Sequence, residues 1–382
     1  MPEHTQSALS RRGLGGLVAA LPVLAQAMPA AAQVSGLPAA NIPPPETRSL
    51  EELHQAAVAE GGELLVYAGG DLRNGSAATE QAFNRRFPGM KIRILVDRSK
   101  FHGVRINNQI ARGRVACDVA HVLTINLFEH WKAEGRLLPY KPLGWEEVFA
   151  DVRDPDAAYV PIGLFSFSTV YNTTLLTEAE APRDAIDYLD PKLKGKIVLC
   201  YPQDDDAILY QFDRIVAAHG WGYMERLMTQ DVTWVRGSAP ARVMVQRGEK
   251  AATFSATGPL VAPAGASFRF IIPRRDSFLT WAQPAAIFGE ARHPAAAKLY
   301  LSWLLSAEVQ GAAGRQWPVR RDVAPATGFG PITTYNTQPA RFGAYVQDRA
   351  RLERMRDQLE QYTGPMQGPN QTGVEGIYPD PG

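Results

Sequence analysis

An α/β fold, with mainly parallel sheets flanked by helices, is predicted from three observations. Short apolar strands alternate with amphipathic helices across residues 49–123, the same rhythm returns after residue 190, and turn residues punctuate both stretches. With 382 residues, 45% hydrophobic and 21% charged, the chain is long enough for two compact domains of ordinary soluble composition. The balance of 40 basic against 39 acidic residues leaves +1, so no global field draws the protein to nucleic acid or an anionic membrane. Any charge selectivity must be local.

The N-terminal residues read as an export signal. Arg11 and Arg12 precede an apolar Gly- and Ala-rich run from Leu14 to Ala32, as in a twin-arginine signal peptide over residues 1–32. Pro22, Pro29 and several glycines break the run too often for a comfortable membrane span, and no cysteine ends it for lipid attachment. Residues 33–48, with Pro38, Pro43, Pro44 and Pro45, are expected to form an extended leader. The expected location is the periplasm, in soluble form. Cys117 and Cys200 both lie in apolar strand segments and are expected as two buried thiols.

The elements then follow in order. Ser49 caps a helix to about Glu60, with Glu52 completing a capping box and Gly61-Gly62 ending it. A strand from Glu63 to Tyr67, a helix from Ser76 to Arg86, a strand from Lys91 to Val96, a helix from Gly103 to Arg112 and a strand from Cys117 to Leu123 complete a β-α-β-α-β unit. Later come a strand from Lys196 to Cys200, a helix from Asp204 to His219, a strand from Val232 to Arg236, a helix from Ala239 to Gln246 and a strand from Ala251 to Phe254. His293 to Leu305 forms a strong helix that tolerates Pro294 in its first turn. A charged helix is expected from Pro339 to Tyr362, with Phe342, Tyr345, Val346, Leu352, Met355 and Leu359 in one apolar stripe against the first lobe, before a Gly/Pro-rich tail.

Several segments together carry a resemblance. Leu65 to Ala68, Phe83 to Ile92, Cys117 to Val119, Val170 to Thr173, Tyr188 to Lys196 and His293 to Ser306 occur in an order that resembles the extracellular solute-binding proteins of ABC importers. The similarity runs from about residue 60 to Val323 and is greatest to the branch that takes ferric iron, thiamine, polyamines, phosphonates and phosphorylated sugars. It implies the type 2 periplasmic binding protein fold, two α/β lobes joined by two crossing strands. The expected division is 49–165 plus 271–330 for a discontinuous lobe one, 166–270 for lobe two, and 331–382 for the helix and tail. The crossings are expected near Pro161 to Val170 and Phe268 to Pro273. The implied function is capture of a small-molecule solute in the interlobe cleft by hinge closure, for a membrane permease, with the protein monomeric and using no cofactor and no catalytic group.

In such a fold the site lies at the strand carboxyl ends. From lobe one this nominates Gly70, Arg73, Asn74, Arg98, Ser99 and Asn126, with Lys100 and Thr124 beside them; from the crossing strand Ser166, Phe167 and Ser168; and from lobe two Asp205, Trp234, Ser255, Thr257 and Gly258, with Trp281. Arg98, Ser99 and Lys100 stand just before a helix start, where backbone N–H groups favour an anion, although a solvated loop has the same composition. The acidic run Asp204 to Asp206 reads as a helix cap or as a site for a cation. Phe254 to Gly258 lacks the adjacent tyrosines with which the ferric branch holds iron, and hydroxyls are poor ligands for hard Fe(III). The preferred ligand is therefore a small organic anion, a carboxylate or phosphate ester, with ferric iron as the alternative. A further alternative is a thiaminase-like enzyme of the same fold using Cys117, with His121 two residues on.

Overall fold

The computed structural model describes residues 42–312, 316–369 and 372. The export signal and most of the leader lie outside these residues, as does most of the tail. Among the described residues no helix is long and apolar enough to cross a membrane.

The chain runs α1 (Leu50–Ala59), β1 (Glu63–Gly69), α2 (Ala77–Arg86), β2 (Lys91–Asp97), α3 (Ser99–Ala111), β3 (Val119–His121), α4 (Asn126–Ala133) and β4 (Leu137–Leu138). It continues with β5 (Val160–Asn172), β6 (Val198–Cys200), α5 (Asp206–His219), α6 (Gly222–Met228), β7 (Thr233–Val235), α7 (Ser238–Gln246), β8 (Ala252–Ala256), β9 (Phe268–Ile271) and β10 (Leu279–Phe288). Helices α8 (Pro294–Leu304), α9 (Ala307–Gln310), α10 (Pro339–Gln347) and α11 (Arg349–Thr363) follow.

Two groups of strands define two lobes. In the first, β1 pairs in parallel with β2 and β3, and β10 joins antiparallel to β3 and β4. In the second, β6 and β7 are parallel, and the bridge Ile197 to Ala252 connects them to β8. β5 serves both: Val160 to Phe167 pairs antiparallel with β10, and Ser168 to Asn172 pairs with β8 and β9. The strand returning beside β5 is thus β10, later in the chain than the Phe268 to Pro273 stretch, which forms β9 and its exit.

The burial pattern explains the apolar strands. Leu64, Val66 and Ala68 of β1 face one core with Phe83, Phe87 and the aromatics of α8, while Tyr67 faces another with Phe128, Trp131 and Phe288. A strand covered on both faces has no polar side to show. Ser49 accepts from Glu52 N while Glu52 accepts from Ser49 N, the capping box read from the sequence. The third helix begins at Ser99, earlier than its expected start at Gly103, because Asp97 Oδ1 accepts from Arg98 N at 2.8 Å and turns the chain directly into the helix.

The single helix expected over Pro339 to Tyr362 is two. Asp348 leaves helical geometry (ψ 76°), and its carboxylate accepts from Arg351 N to start α11. The apolar stripe is as expected, but its main partner is the second lobe. Phe342, Tyr345, Leu352, Met355 and Leu359 join the core of α5 and α6, and Trp281 of β10 meets Phe342. Tyr210 of α5 supplies the matching aromatic surface, with ring centroids 4.8 Å from Tyr345.

Candidate functional site

The carboxyl ends of β1, β2 and β3 face those of β6 and β7, and charged groups meet between them. Arg98, at the N-terminus of α3, makes a very short ion pair with Asp204, which lies just before α5. Lys100 approaches the same carboxylate at 3.0 Å, Arg236 at 3.6 Å, and Gly237 donates its N–H at 3.2 Å. Asp204 is fully buried. Burial opposes its charge, but Arg98 and Lys100 outweigh that and hold the carboxyl below the usual range. A cavity of about 240 Å³ lies here, lined by Arg98, Ser99, Lys100, Thr124 and Asn126 from one side and Gln203 to Asp206 from the other. Arg349 and Arg356 of α11 also line it, both paired with Asp206.

A second contact crosses between the lobes at α7. Asp71, on the loop after β1, has its Oδ2 bound by Ser238 N at 2.7 Å, Ser238 Oγ at 2.9 Å and Ala239 N at 3.1 Å. A helix N-terminus presents unpaired N–H groups and a positive dipole end, and here it grips a carboxylate. Gly237 precedes it at φ +80°, and a Cβ there would come within 2.8 Å of Asp71 Cγ, so glycine is what admits the carboxylate. One turn into the helix, Arg242 donates to Thr257 O at 3.5 Å, and its Nε is buried without a partner. Among the described residues no carboxylate pairs with Arg242; burial lowers its pKa and the nearby charge of Asp71 opposes this.

The nominated residues divide by what they touch. Arg98, Ser99, Asn126 and Asp205 line the cavity together. Ser99 Oγ also accepts from Leu123 N at 2.8 Å, and a Cβ on Gly69 would collide with it, so the serine packs the strand ends. Gly70 N donates to Asp97 O, and its hydrogen leaves room for Val96. Arg73 and Asn74 are exposed, and Arg73 Nε donates to Thr372 O. Asp205 caps α5 through Ala207 N and Ile208 N, and burial, with Asp71 and Asp206 near, pushes its pKa up to about 6.

The crossing-strand residues are committed to the interior. Ser166 N and Oγ both donate to Gln316, Ser168 Oγ donates to Ile271 O, and Phe167 packs edge-on against Trp281. Ser255 Oγ accepts from Cys200 N, and Gly258 O accepts from Gln316 Nε2. Thr257 contributes its carbonyl to Arg242. Trp234 lies tilted against the rings of Tyr201 and Phe212, and among the described residues its buried indole N–H has no partner.

Asp71, Ser238, Arg242 and Gln316 escaped the sequence reading. The signal for Ser238 is present: strand, Gly237, Ser238, helix is the pattern of an anion-holding turn. Gln316 offers no such signal. Cys117 and Cys200 are free, buried thiols whose pKa burial raises well above the ordinary value. His121 shares its Nε2 with Tyr300 Oη at 3.3 Å, and burial lowers its pKa to about 4. Among the described residues no group of three or more His, Cys, Asp or Glu is placed to hold a metal.

Comparison with known proteins adds a family and a fold. A family model for bacterial extracellular solute-binding proteins matches residues 69–311, well over half of the chain. No curated protein sequence matches. Among solved structures, the substrate-binding protein of an ABC transporter from Agrobacterium tumefaciens is similar with a TM-score of 0.65 at 15% identity, over 78% of this chain and 94% of that one. AfuA from Actinobacillus pleuropneumoniae, with fructose-6-phosphate bound, gives 0.62 at 18% identity, over 79% and 98%. Iron-bound HitA from Pseudomonas aeruginosa gives 0.61 at 17% identity, over 78% and 99%.

Proposed function

Because the chain belongs to the bacterial extracellular solute-binding proteins, we propose that it captures a small organic anion, a carboxylate or phosphate ester, between its two lobes for an ABC permease. In this reading it works as a monomer in the periplasm, with lobe one formed by residues 49–165 and 271–330 and lobe two by residues 166–270. The observation that carries the ligand class is the grip of α7 on Asp71. The second lobe already holds a carboxylate from the first with two backbone N–H groups and a hydroxyl, and Arg242 stands one turn away, its Nε buried without a partner and, among the described residues, with no carboxylate of its own. A solute carboxylate or phosphate arriving in the open cleft would meet these donors as Asp71 withdraws. Charge-assisted hydrogen bonds of this kind are the strong ones.

Binding rather than chemistry is supported by the state of the candidate nucleophile. Cys117 is buried with its thiol held protonated, and His121 is engaged by Tyr300. The sugar-phosphate bound to AfuA agrees with an anionic solute, and the iron bound to HitA represents the other reading. Iron is disfavoured by the residues at Phe254 to Gly258, which offer no phenolate.

Thermal melting of the protein with citrate, glycerol 3-phosphate, fructose 6-phosphate and ferric salts tests this. An organic anion should raise the melting temperature by mass action. Arg242→Met should then weaken its binding by roughly 10- to 100-fold, the usual scale for a hydrogen bond to a charged group. A rise with ferric salts alone overturns the ligand class.

A further inference from the structure

The amino ends of the first-lobe strands border a cavity of their own, of about 410 Å³. Strand residues two apart share a face, so Tyr67 and Leu65 of β1 stand beside Leu95, Arg93 and Lys91 of β2 on one side of the sheet. Helix α3 covers part of that side: His102 stacks on Tyr67 and donates to Leu95 O at 3.0 Å, and Gln109 donates to Tyr67 Oη at 3.3 Å. The helix stops at Ala111, and Gly113 turns the chain at φ +72°. Beyond its end, Leu65, Arg93 and Lys91 line the cavity, with both cations exposed on the edge strand of the sheet.

Two more cations come from distant parts of the chain. Arg114, on the turn after α3, and Arg292, on the loop before α8, line the same cavity. The acids at its wall are Asp118 and Glu63. Asp118 is 1% exposed, and its oxygens are taken by Leu65 N at 2.9 Å, His293 N at 3.0 Å and His293 Nδ1 at 3.1 Å. Its charge is thus spent inside the protein, and it holds the His293 ring at the cavity edge. Glu63 stands in register with Lys91 across the strands. Among the described residues, however, no carboxylate lies within ion-pair distance of Lys91, Arg93 or Arg292.

We propose that this cavity is a second anion site, remote from the interlobe cleft, and that it takes a phosphate group. In a chain whose net charge is only +1, four cations around one concavity are a strong local excess. A concave wall of one sign focuses the field and concentrates the opposite charge there. Phosphate oxygens point in several directions from one atom, so guanidinium and ammonium groups arriving from three separate segments can each take one, whereas a planar carboxylate offers two. The site does not depend on the solute reading, since the seven residues of β1 put about 20 Å between it and the loop that bears Asp71. The phosphate is that of a soluble compound or of a lipid headgroup, and the experiment separates the two.

The test is titration calorimetry of the full chain with inorganic pyrophosphate at low salt, beside pelleting with phosphatidylcholine vesicles made with and without phosphatidylglycerol. Three variants accompany the parent: Arg93→Gln with Arg292→Gln at the site, Arg242→Met in the cleft, and Arg341→Gln with Arg354→Gln, exposed cations of α10 and α11 that match the charge removed. Binding of pyrophosphate should weaken at least tenfold in the site pair, about the scale of one hydrogen bond to a charged group, and hold in the other two. Pelleting that needs phosphatidylglycerol and is lost only in the site pair assigns the phosphate to a headgroup; pyrophosphate binding without such pelleting assigns it to a soluble compound. Binding that is equally weakened in the Arg341 and Arg354 pair, or that is lost only with Arg242→Met, overturns the site. So does a parent that binds neither pyrophosphate nor the anionic vesicles.

Discussion

At the scale of single residues, the cleft brings together carboxylates with opposite fates. Asp204, surrounded by three cations, is held ionised, whereas Asp205, its neighbour in sequence, is pushed up to about 6 by burial and by Asp71 and Asp206. For Asp205 the folded pKa exceeds the unfolded value of about 3.9. The folded state therefore takes up a proton between roughly pH 6 and pH 4, and the ionised side chain costs stability above that window. Asp205→Asn keeps an oxygen to accept from Ala207 N and Ile208 N and removes the charge. Thermal melts across pH should find this variant at least as stable as the parent at pH 8, with its advantage shrinking as the pH falls below 6. A variant less stable at every pH contradicts the assignment.

At the scale of elements, the N-terminus of α7 is built around Gly237. Gly237→Ala puts a residue with a side chain at φ +80°, ψ 151° and drives its Cβ against Asp71. The backbone strain costs on the order of 1–3 kcal/mol. The collision adds to it, but only while Asp71 is present. The substitution should therefore lower stability less in an Asp71→Ala background than in the parent, and a double-mutant cycle on melting free energies measures the difference. Equal losses in both backgrounds would remove Asp71 from the account.

The same element shows what a sequence conveys and what it withholds. The β-α-β-α-β order, the capping box at Ser49 and the strand ends bearing Arg98 and Asp205 follow from local periodicity and caps, which are written in adjacent residues. The Asp71 to Ser238 contact joins residues 167 positions apart. Nothing near Asp71 marks it as the partner of a distant helix. The start of α3 was misplaced because its first turn is set by Asp97 accepting from Arg98 N, a use of the acid that its composition does not reveal. The hydroxyls of Ser166 and Ser168 look available in sequence; in the fold Gln316 and Ile271 take them.

At the scale of the whole molecule, buried histidines govern the response to acid. His102 donates through Nε2 to Leu95 O and accepts from Arg105 at Nδ1, and its pKa is lowered to about 4, first by burial and then by the Arg105 charge. His121 is lowered to about 4 by burial. Their unfolded value is about 6.5. Between these limits the unfolded chain binds the extra protons, so this stability is complete above pH 6.5 and drains away as the pH falls toward 4. Two such groups outweigh the opposite tendency of Asp205. The melting temperature should fall from pH 7 to pH 4.5, and His121→Gln should flatten the slope. A melting temperature that is constant over this range would show the histidines to be solvated.

One feature of β5 reaches further than its place in the sheets. Its ladder to β8 shifts register between Ser168 and Val170, and its ladder with β10 shifts between Ala282 and Pro284, where proline has no N–H to lose. Each interruption is a place where the ribbon can wind or unwind without tearing a regular row of bonds. The paired strands therefore behave as a torsion bar with two slack links already cut into it, and turning one lobe against the other stresses the bar there and leaves each sheet whole.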